Sequence, residues 1–198
     1  EVIAGYDTGP GNVLMDSWSM HNGIGPYDKN GDWARSGKLN EPLQMSLLEQ
    51  DNFIEKSHPK STGTDYYNID FIIRAIKECG QDIKPEDVQR TLLEFTAGSF
   101  AFIGDDNISM PIEERSSWIA ISGGGSKNKF LVERIEDLFY IMPGELKTTE
   151  AWGVDSEWVE ALGFAYLAFL RMNEISVDLS KVTGSRSQIL LGNIQTPN

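Results

Sequence analysis

Two short apolar segments of this chain each run into glycines and then into a helix-like segment, and this arrangement narrows the possible folds more than any other pattern. The first junction is Asp7-Thr8-Gly9-Pro10-Gly11-Asn12, and the second is Gly123-Gly124-Gly125, after the strand-like residues 118–122. Glycine lets backbone N–H groups approach an anion, and the start of the following helix is electropositive. Two such junctions indicate a protein that handles nucleotides.

Each junction also has a simpler explanation as a tight turn between a strand and a helix, because Asp, Gly, Pro and Asn all favour turns. Neither junction contains the Gly-Lys-Ser or Gly-Lys-Thr of a P-loop, and neither completes the six-residue dinucleotide fingerprint. P-loop and dinucleotide-binding folds are therefore disfavoured. Lys60 and Lys127 lie next to glycine-bearing loops, where they either face phosphate or remain ordinary exposed lysines.

Composition limits the partners. The 198 residues carry 17 basic and 30 acidic side chains, a net charge of −13, which argues against a duplex nucleic-acid surface and against charge-driven binding to anionic membranes. No apolar run reaches the ~18 residues of a membrane span. The single Cys79 excludes an intrachain disulfide, and the cytoplasm is the expected compartment. Residue 1 is Glu, and the chain opens on strand-like sequence, which predicts one domain cut from a longer chain.

Periodicity and turn residues predict mostly helical structure with a few strands. Two faces are predicted to be buried, one formed by Ile69, Ile72, Ile73 and Ile76 and one formed by Val88, Leu92, Phe95 and Ser99. The predicted elements are strands over 1–7, 118–122 and 144–149, helices over 12–21, 41–50, 127–139 and 156–174, a helix opened by Pro85, a loop over 22–40, and a polar surface connection over 105–117. Asn12 is predicted to cap the first helix.

The helix over 156–174 is apolar nearly all round, which predicts a buried helix. Glu160 is the only charge between Trp158 and Leu170. A lone acid in such a run needs a partner, a ligand or a wet cavity.

Five groups of residues resemble motifs of the anhydro-N-acetylmuramic acid kinase family, in the family's order and almost to the end of the last long helix. The groups are Gly5-Tyr6-Asp7-Thr8-Gly9-Pro10-Gly11-Asn12, Tyr27-Asp28-Lys29-Asn30-Gly31, Lys60-Ser61-Thr62-Gly63 with Tyr67-Asn68, Ser122-Gly123-Gly124-Gly125 with Asn128, and Lys147-Thr148-Thr149 with Glu160-Ala161. Several spaced motifs in order are more specific than any one of them.

The resemblance implies an α/β fold of the actin-like, hexokinase-like ATPase class, with a ribonuclease H-like core and helices packed on a small mixed sheet. Members of this family, and the similar levoglucosan kinases, close two lobes around ATP. The resemblance covers the second half of the family only, so residues 1–198 are expected to form a single C-terminal lobe without the N-terminal lobe. Because phosphoryl transfer depends on positioning both ends of the triphosphate, this lobe alone is expected to be inactive.

The implied reaction opens the 1,6-anhydro bridge of 1,6-anhydro-N-acetylmuramic acid with water and transfers the ATP γ-phosphate to O6, a step of cell-wall sugar recycling. Asp7 would deprotonate the water, and Mg²⁺ would neutralise the phosphates, with no metal ligand assigned. The resemblance implies phosphate binding by Thr8, Gly9, Gly11 and Asn12, adenosine binding by Gly123, Gly124, Gly125 and Asn128, and substrate binding by Glu160.

The resemblance leaves alternatives open. A levoglucosan kinase carries the same motifs, and a non-catalytic actin-like nucleotide-binding protein is a second alternative, which the presence of Asp7 disfavours. A fragment with no ligand would leave Asp7, the glycine triplet and Glu160 as unrelated coincidences. The expected partner is the anhydrosugar, and a homodimer remains open.

Overall fold

The computed structural model describes residues 5–57, 59–108, 118–139 and 145–195. Helices dominate these ranges, as the sequence predicts. The elements are α1 Val13–His21, α2 Asp32–Ser36, α3 Glu41–Gln50, α4 Ile69–Cys79, α5 Pro85–Ile108, β1 Trp118–Ile121, α6 Lys129–Phe139, β2 Glu145–Thr148, α7 Val159–Met172 and α8 Ser180–Thr183, with 3-10 turns at Lys29–Gly31, Gly124–Lys127 and Thr149–Trp152.

The two described strands form a small parallel sheet. Trp118 of β1 is in register with Glu145 of β2, and Ile121 is in register with Thr148. Helix α6 lies between the strands in the chain, which is the crossover that a parallel pair requires. The described part of the sheet is parallel rather than mixed, and its α/β character agrees with the predicted class. The predicted strand over 1–7 is not seen, since residues 1–4 lie outside the described ranges and residues 5–7 belong to no helix or strand.

The long helix α5 forms the centre of the hydrophobic core. Its predicted face is buried, because Val88, Leu92, Phe95 and Ser99 are each 3% exposed or less. Helices α1, α2, α3 and α6 all contact α5. The predicted polar connection over 105–117 is wrong for its first part, because α5 continues to Ile108. The remainder, 109–117, lies outside the described residues.

Local sequence sets the ends of several helices. The side-chain oxygen of Asn40 accepts a hydrogen bond from Leu43 N at the start of α3, and Asn68 does the same from Phe71 N at the start of α4. These caps satisfy backbone donors that a helix start leaves unpaired. In α4, however, Ile73 is 43% exposed, so the predicted four-isoleucine face is wrong at this position.

Two further local predictions are wrong in detail. Asn12 stands at the N-cap of α1 but makes no capping bond, because its side-chain amide donates to the carboxylate of Asp16 instead. The predicted loop over 22–40 contains the 3-10 turn Lys29–Gly31 and helix α2. The buried carboxylate of Asp28 organises this segment by accepting hydrogen bonds from Trp33 N and Ala34 N, both at 2.9 Å.

Helix α7 is exposed, which contradicts the prediction of a buried helix. Phe164 is 72% exposed and Phe169 is 55% exposed, whereas Leu170 is the buried residue of this helix. Periodicity reports how apolar a helix is, but it does not tell which surface covers that helix. None of the described helices is both long and apolar enough to cross a membrane.

The segment that leads into α7 contains a pH-sensitive contact. Hydrogen bonds from the Thr148 side chain, from the backbone of Glu150 itself and from the backbone N–H of Ser156 hold the pKa of the Glu150 carboxyl at about 2. A carboxyl whose pKa falls on folding stabilises the fold above its unfolded pKa, and that contribution disappears as the pH falls through the folded value.

Glu150→Gln is therefore expected to lower the free energy of unfolding at pH 7, and the difference from the wild type should shrink between about pH 4.5 and 2. Urea unfolding at a series of pH values measures it. Thr148→Val should reproduce part of the effect, because the Thr148 side chain is the largest cause of the shift. A difference that stays constant across this pH range would contradict the assignment.

Candidate functional site

Asp7 lies in an exposed position and is held by a neighbouring loop. Its Oδ2 accepts a hydrogen bond from Ser61 Oγ at 2.9 Å and a second from Thr62 N at 2.8 Å. The backbone N–H of Asp7 donates to the carbonyl of Lys60 at 3.2 Å. These contacts fix the carboxylate in one orientation and leave it accessible to solvent, as a base that acts on a bound water requires.

The rest of the first junction rests on helix α5. A Cβ added to Gly9 would lie 2.5 Å from the Cβ of Ser99, so only glycine fits this close approach. Thr96 Oγ1 donates to the carbonyl of Gly11 at 3.0 Å. Gly11 has a φ of 55°, the left-handed conformation that turns the chain into α1. Thr8 is half-buried between these anchored residues.

The second junction meets the first. A Cβ added to Gly125 would lie 3.9 Å from Asn12 Oδ1, so the two glycine segments are in contact distance. Gly123 has a φ of 81° and starts the 3-10 turn that leads to α6. A Cβ on Gly124 would meet no atom within 4 Å, because this residue faces open space. The sequence predicted each junction separately, and the fold brings them together.

One cavity joins most of the predicted site residues. It has a volume of about 410 Å³, and its wall includes Gly11, Asn12, the triplet Gly123 to Gly125, and Glu160 at the start of α7. Glu160 is exposed, so of the three explanations for a lone acid in this apolar helix the structure supports a wet cavity. Ile119, Ile121 and Leu146 supply an apolar wall from the sheet.

A second cavity of about 460 Å³ shares Asn12, Gly123 and Gly124 with the first. It is also lined by Asn128 and by the Tyr27 to Asn30 loop, which corresponds to another of the predicted motifs. Asn128 has a structural task as well, because its Oδ1 accepts the hydrogen bond from Leu131 N that caps α6. Asp7, Thr8 and Gly9 line neither cavity.

Sequence reasoning missed Asp16, which lines the second cavity. Burial raises the pKa of the Asp16 carboxyl, and the nearby charge of Asp28 adds to the rise, while the hydrogen bond from Asn12 opposes it. Asp16 stands in the first turn of α1, where its charge interacts favourably with the helix dipole. The sequence did contain a signal for Asp16, because it follows Asn12 by four residues and residues with this spacing share one face of a helix.

The two lysines that were considered as phosphate ligands have protein partners. Lys60 Nζ donates to the carbonyls of Phe53 and Ile54, at 3.3 and 2.6 Å. Lys127 Nζ pairs with the carboxylate of Glu157, and this hydrogen bond raises the pKa of Lys127. Both lysine ammonium groups are therefore engaged by other groups of the protein.

The described residues contain no cluster of three or more His, Cys, Asp or Glu side chains that could hold a metal ion. Mg²⁺ in phosphoryl-transfer sites typically keeps several waters and binds one or two carboxylates together with the substrate phosphates. Single acids such as Asp16 and Glu160 at the cavity walls fit that arrangement.

The resemblance implies that the glycine triplet binds adenosine, so Gly124→Val is expected to weaken ATP binding by roughly tenfold or more, which corresponds to about 1.4 kcal/mol. Gly124 has no left-handed φ and no close neighbour, so the added side chain fits the fold and instead fills the cavity. Titration calorimetry with ATP measures the change.

Ala151→Val provides the matched control for that variant. Ala151 is exposed and lies outside both cavities, so a valine side chain at this position should leave ATP affinity unchanged. If Gly124→Val and Ala151→Val bind ATP equally well, the glycine triplet does not contact the nucleotide and is only a packing turn.

Comparisons with known proteins converge on one family. The family model described as anhydro-N-acetylmuramic acid kinase matches residues 1–197. A protein named anhydro-N-acetylmuramic acid kinase from Saccharophagus degradans is 40% identical over 197 residues, covering 98% of this chain and 50% of the relative. A relative of the same name from Pasteurella multocida is 38% identical over 194 residues, covering 98% of this chain and 49% of the relative. The chain spans about half the length of the curated relatives that it matches.

Proposed function

The chain belongs to the anhydro-N-acetylmuramic acid kinase family, and we propose that it is the C-terminal lobe of an ATP-dependent kinase that acts on 1,6-anhydro-N-acetylmuramic acid. The lobe is proposed to have the actin-like, hexokinase-like fold and to complete its active site with an N-terminal lobe. The observation that carries the proposal is the meeting of the two glycine junctions and Glu160 around one cavity, with Asp7 held by Ser61 at the start of the first junction.

In the proposed reaction Asp7 is the general base. It takes a proton from a water molecule while the water oxygen attacks the anomeric carbon of the sugar. The bond between that carbon and O6 breaks, and O6 forms a bond to the γ-phosphorus as ADP leaves. The products are N-acetylmuramic acid 6-phosphate and ADP, and the water proton rests on Asp7 until solvent removes it.

The geometry around Asp7 supports this role. Ser61 Oγ and Thr62 N both bond to Oδ2, which leaves Oδ1 to orient the water. A carboxylate is a weak base, but the carbon that the water attacks polarises the water in the transition state, so orientation contributes much of the effect.

The first junction is proposed to bind the β- and γ-phosphates through Thr8, Gly9, Gly11, Asn12 and the start of α1. Backbone N–H groups at a helix N-terminus bind anions without a lysine, which agrees with the partners found for Lys60 and Lys127. The second junction, with Asn128, is proposed to hold the adenosine across the two adjoining cavities.

Glu160 is proposed to bind the sugar near the phosphate, since it lies at the start of α7 and lines the first cavity. When bound, Mg²⁺ would supply charge neutralisation for the triphosphate. Asn12 and Asp16, which are hydrogen-bonded to each other at the wall of the second cavity, would orient water around such an ion.

The proposal is tested by ATP- and Mg²⁺-dependent phosphorylation of 1,6-anhydro-N-acetylmuramic acid by the longer protein, which is this chain together with the proposed N-terminal lobe, with this chain assayed alongside. The longer protein is expected to turn over the sugar and this chain by itself is not, because one lobe cannot position both ends of the triphosphate. Levoglucosan serves as the competing sugar, and preferential turnover of it would overturn the proposed substrate. ATP binding without turnover of either sugar would overturn the kinase proposal.

A further inference from the structure

Helix α7 presents an apolar stripe that the described residues leave open. Its exposed members recur at spacings of three and four, so they share one side of the helix. They are Trp158, Leu162, Ala165, Phe169 and Met172. Met172 is 69% exposed and Trp158 is 63% exposed. Isolated exposed apolar residues are ordinary, but a continuous stripe of this kind marks an interaction surface.

The shape and chemistry of the stripe suit a protein surface. No charged side chain lies on it, since Glu160 and Arg171 project from the other side of the helix, as their positions in the 3.6-residue repeat require. Ala161 and Ala165 keep part of the surface flat, which permits close approach of another element. The stripe is therefore typical of a helix that packs against a further helix or sheet.

The opposite flank of α7 also lacks a partner group. A groove of about 430 Å³ runs between α7 and residues 191–194, lined by Phe164, Leu167 and Arg171. The Nε of Arg171 is buried there and has no hydrogen-bond partner among the described residues. A buried guanidinium donor needs an acceptor, which a water molecule in this groove supplies as well as a protein group does.

The length of the relatives supports one occupant for the stripe. The curated relatives contain about as many residues outside the matched region as inside it, because the match covers 49–50% of each. A second copy of this chain fits less well, since each copy carries a net charge of −13 and two copies repel each other.

We propose that the apolar stripe of α7 is the surface on which the other lobe of the kinase packs, with Trp158, Leu162, Phe169 and Met172 buried in the contact. The inference rests on the two-lobe organisation given under the proposed function. The same helix carries Glu160 into the nucleotide-site cavity, so docking of the other lobe would also fix the orientation of a residue at the proposed active site.

Methionine oxidation in the longer protein tests the contact, because Met172 lies on the stripe while Met20 and Met45 are exposed on α1 and α3, at 59% and 54%. Hydrogen peroxide treatment followed by peptide mass spectrometry gives each oxidation rate, and the urea-unfolded protein supplies the reference rate. Met172 is expected to be oxidised at least roughly tenfold more slowly in the native protein than unfolded. Met20 and Met45 should change much less, and equal behaviour of all three would overturn the proposal.

A photo-crosslinking residue distinguishes the possible occupants. Phe169 is replaced by p-benzoylphenylalanine, which keeps the aromatic ring and reacts with whatever lies against it. A crosslink to a peptide from the other half of the same chain is the expected result. A crosslink between two chains would assign the stripe to a dimer, and the absence of any crosslink would leave it exposed, and either result overturns the proposal. Neither readout uses turnover, so failure of the kinase assay does not affect this test.

Discussion

Asp7→Asn in the longer protein is expected to lower the turnover of 1,6-anhydro-N-acetylmuramic acid by roughly 10²–10⁴ while leaving ATP affinity unchanged. The amide oxygen of asparagine can still accept hydrogen bonds from Ser61 Oγ and Thr62 N, so the loop should keep its conformation. What is lost is the group that accepts the water proton. Steady-state kinetics for the sugar and titration calorimetry for ATP separate the two effects.

The control is Asp82→Asn, which makes the same change at an exposed aspartate between α4 and α5 and should leave turnover unchanged. Ser61→Ala adds a graded comparison, because it removes one of the two bonds to Oδ2 but keeps the base. Its turnover should fall between the wild type and Asp7→Asn. Wild-type turnover by Asp7→Asn would remove Asp7 from the mechanism.

The two glycine junctions of the candidate site could be recognised in the sequence because each is a short continuous segment, whereas the role of each residue stays a prediction. The Asp7 to Asn12 junction and the Gly123 to Gly125 triplet are recognisable wherever they lie in a chain, since glycine has backbone freedom that no other residue has. Their meeting point could not be predicted, because it depends on how α5 supports one junction and how β1 delivers the other. Asp16 was missed although it lies four residues after Asn12 on the same helix face, because its burial and the nearby charge of Asp28 arise only in the fold.

The fold was predicted best where burial and periodicity agree. The face of α5 is buried as expected because four other helices surround it. The prediction failed for α7, whose sequence is as apolar as a core helix but whose covering surface is absent from the described residues. In α4 the pattern misassigned Ile73, because an apolar residue at the edge of a helix face can point to solvent without a large cost.

Gly37→Ala is expected to destabilise the fold by about 3 kcal/mol or more, the upper range for overpacking. A Cβ on Gly37 would lie 2.0 Å from the carbonyl oxygen of Glu86 and 2.9 Å from Asp87 N, in the first turn of α5. Backbone atoms cannot move aside as a flexible side chain can, so α5 would have to shift against the whole core. Urea unfolding followed by circular dichroism measures the loss.

Gly98→Ala is the matched control, because Gly98 lies inside α5 and a Cβ there would meet no atom within 4 Å. Alanine is the better helix former, so this variant should gain about 0.5–1 kcal/mol. The same Gly→Ala change is thus expected to lower the free energy of unfolding at Gly37, where a Cβ has no room, and to raise it at Gly98, where a Cβ meets no other atom. Equal destabilisation by both variants would contradict this explanation, because the close approach of Gly37 to Glu86 would then not be the cause of the loss.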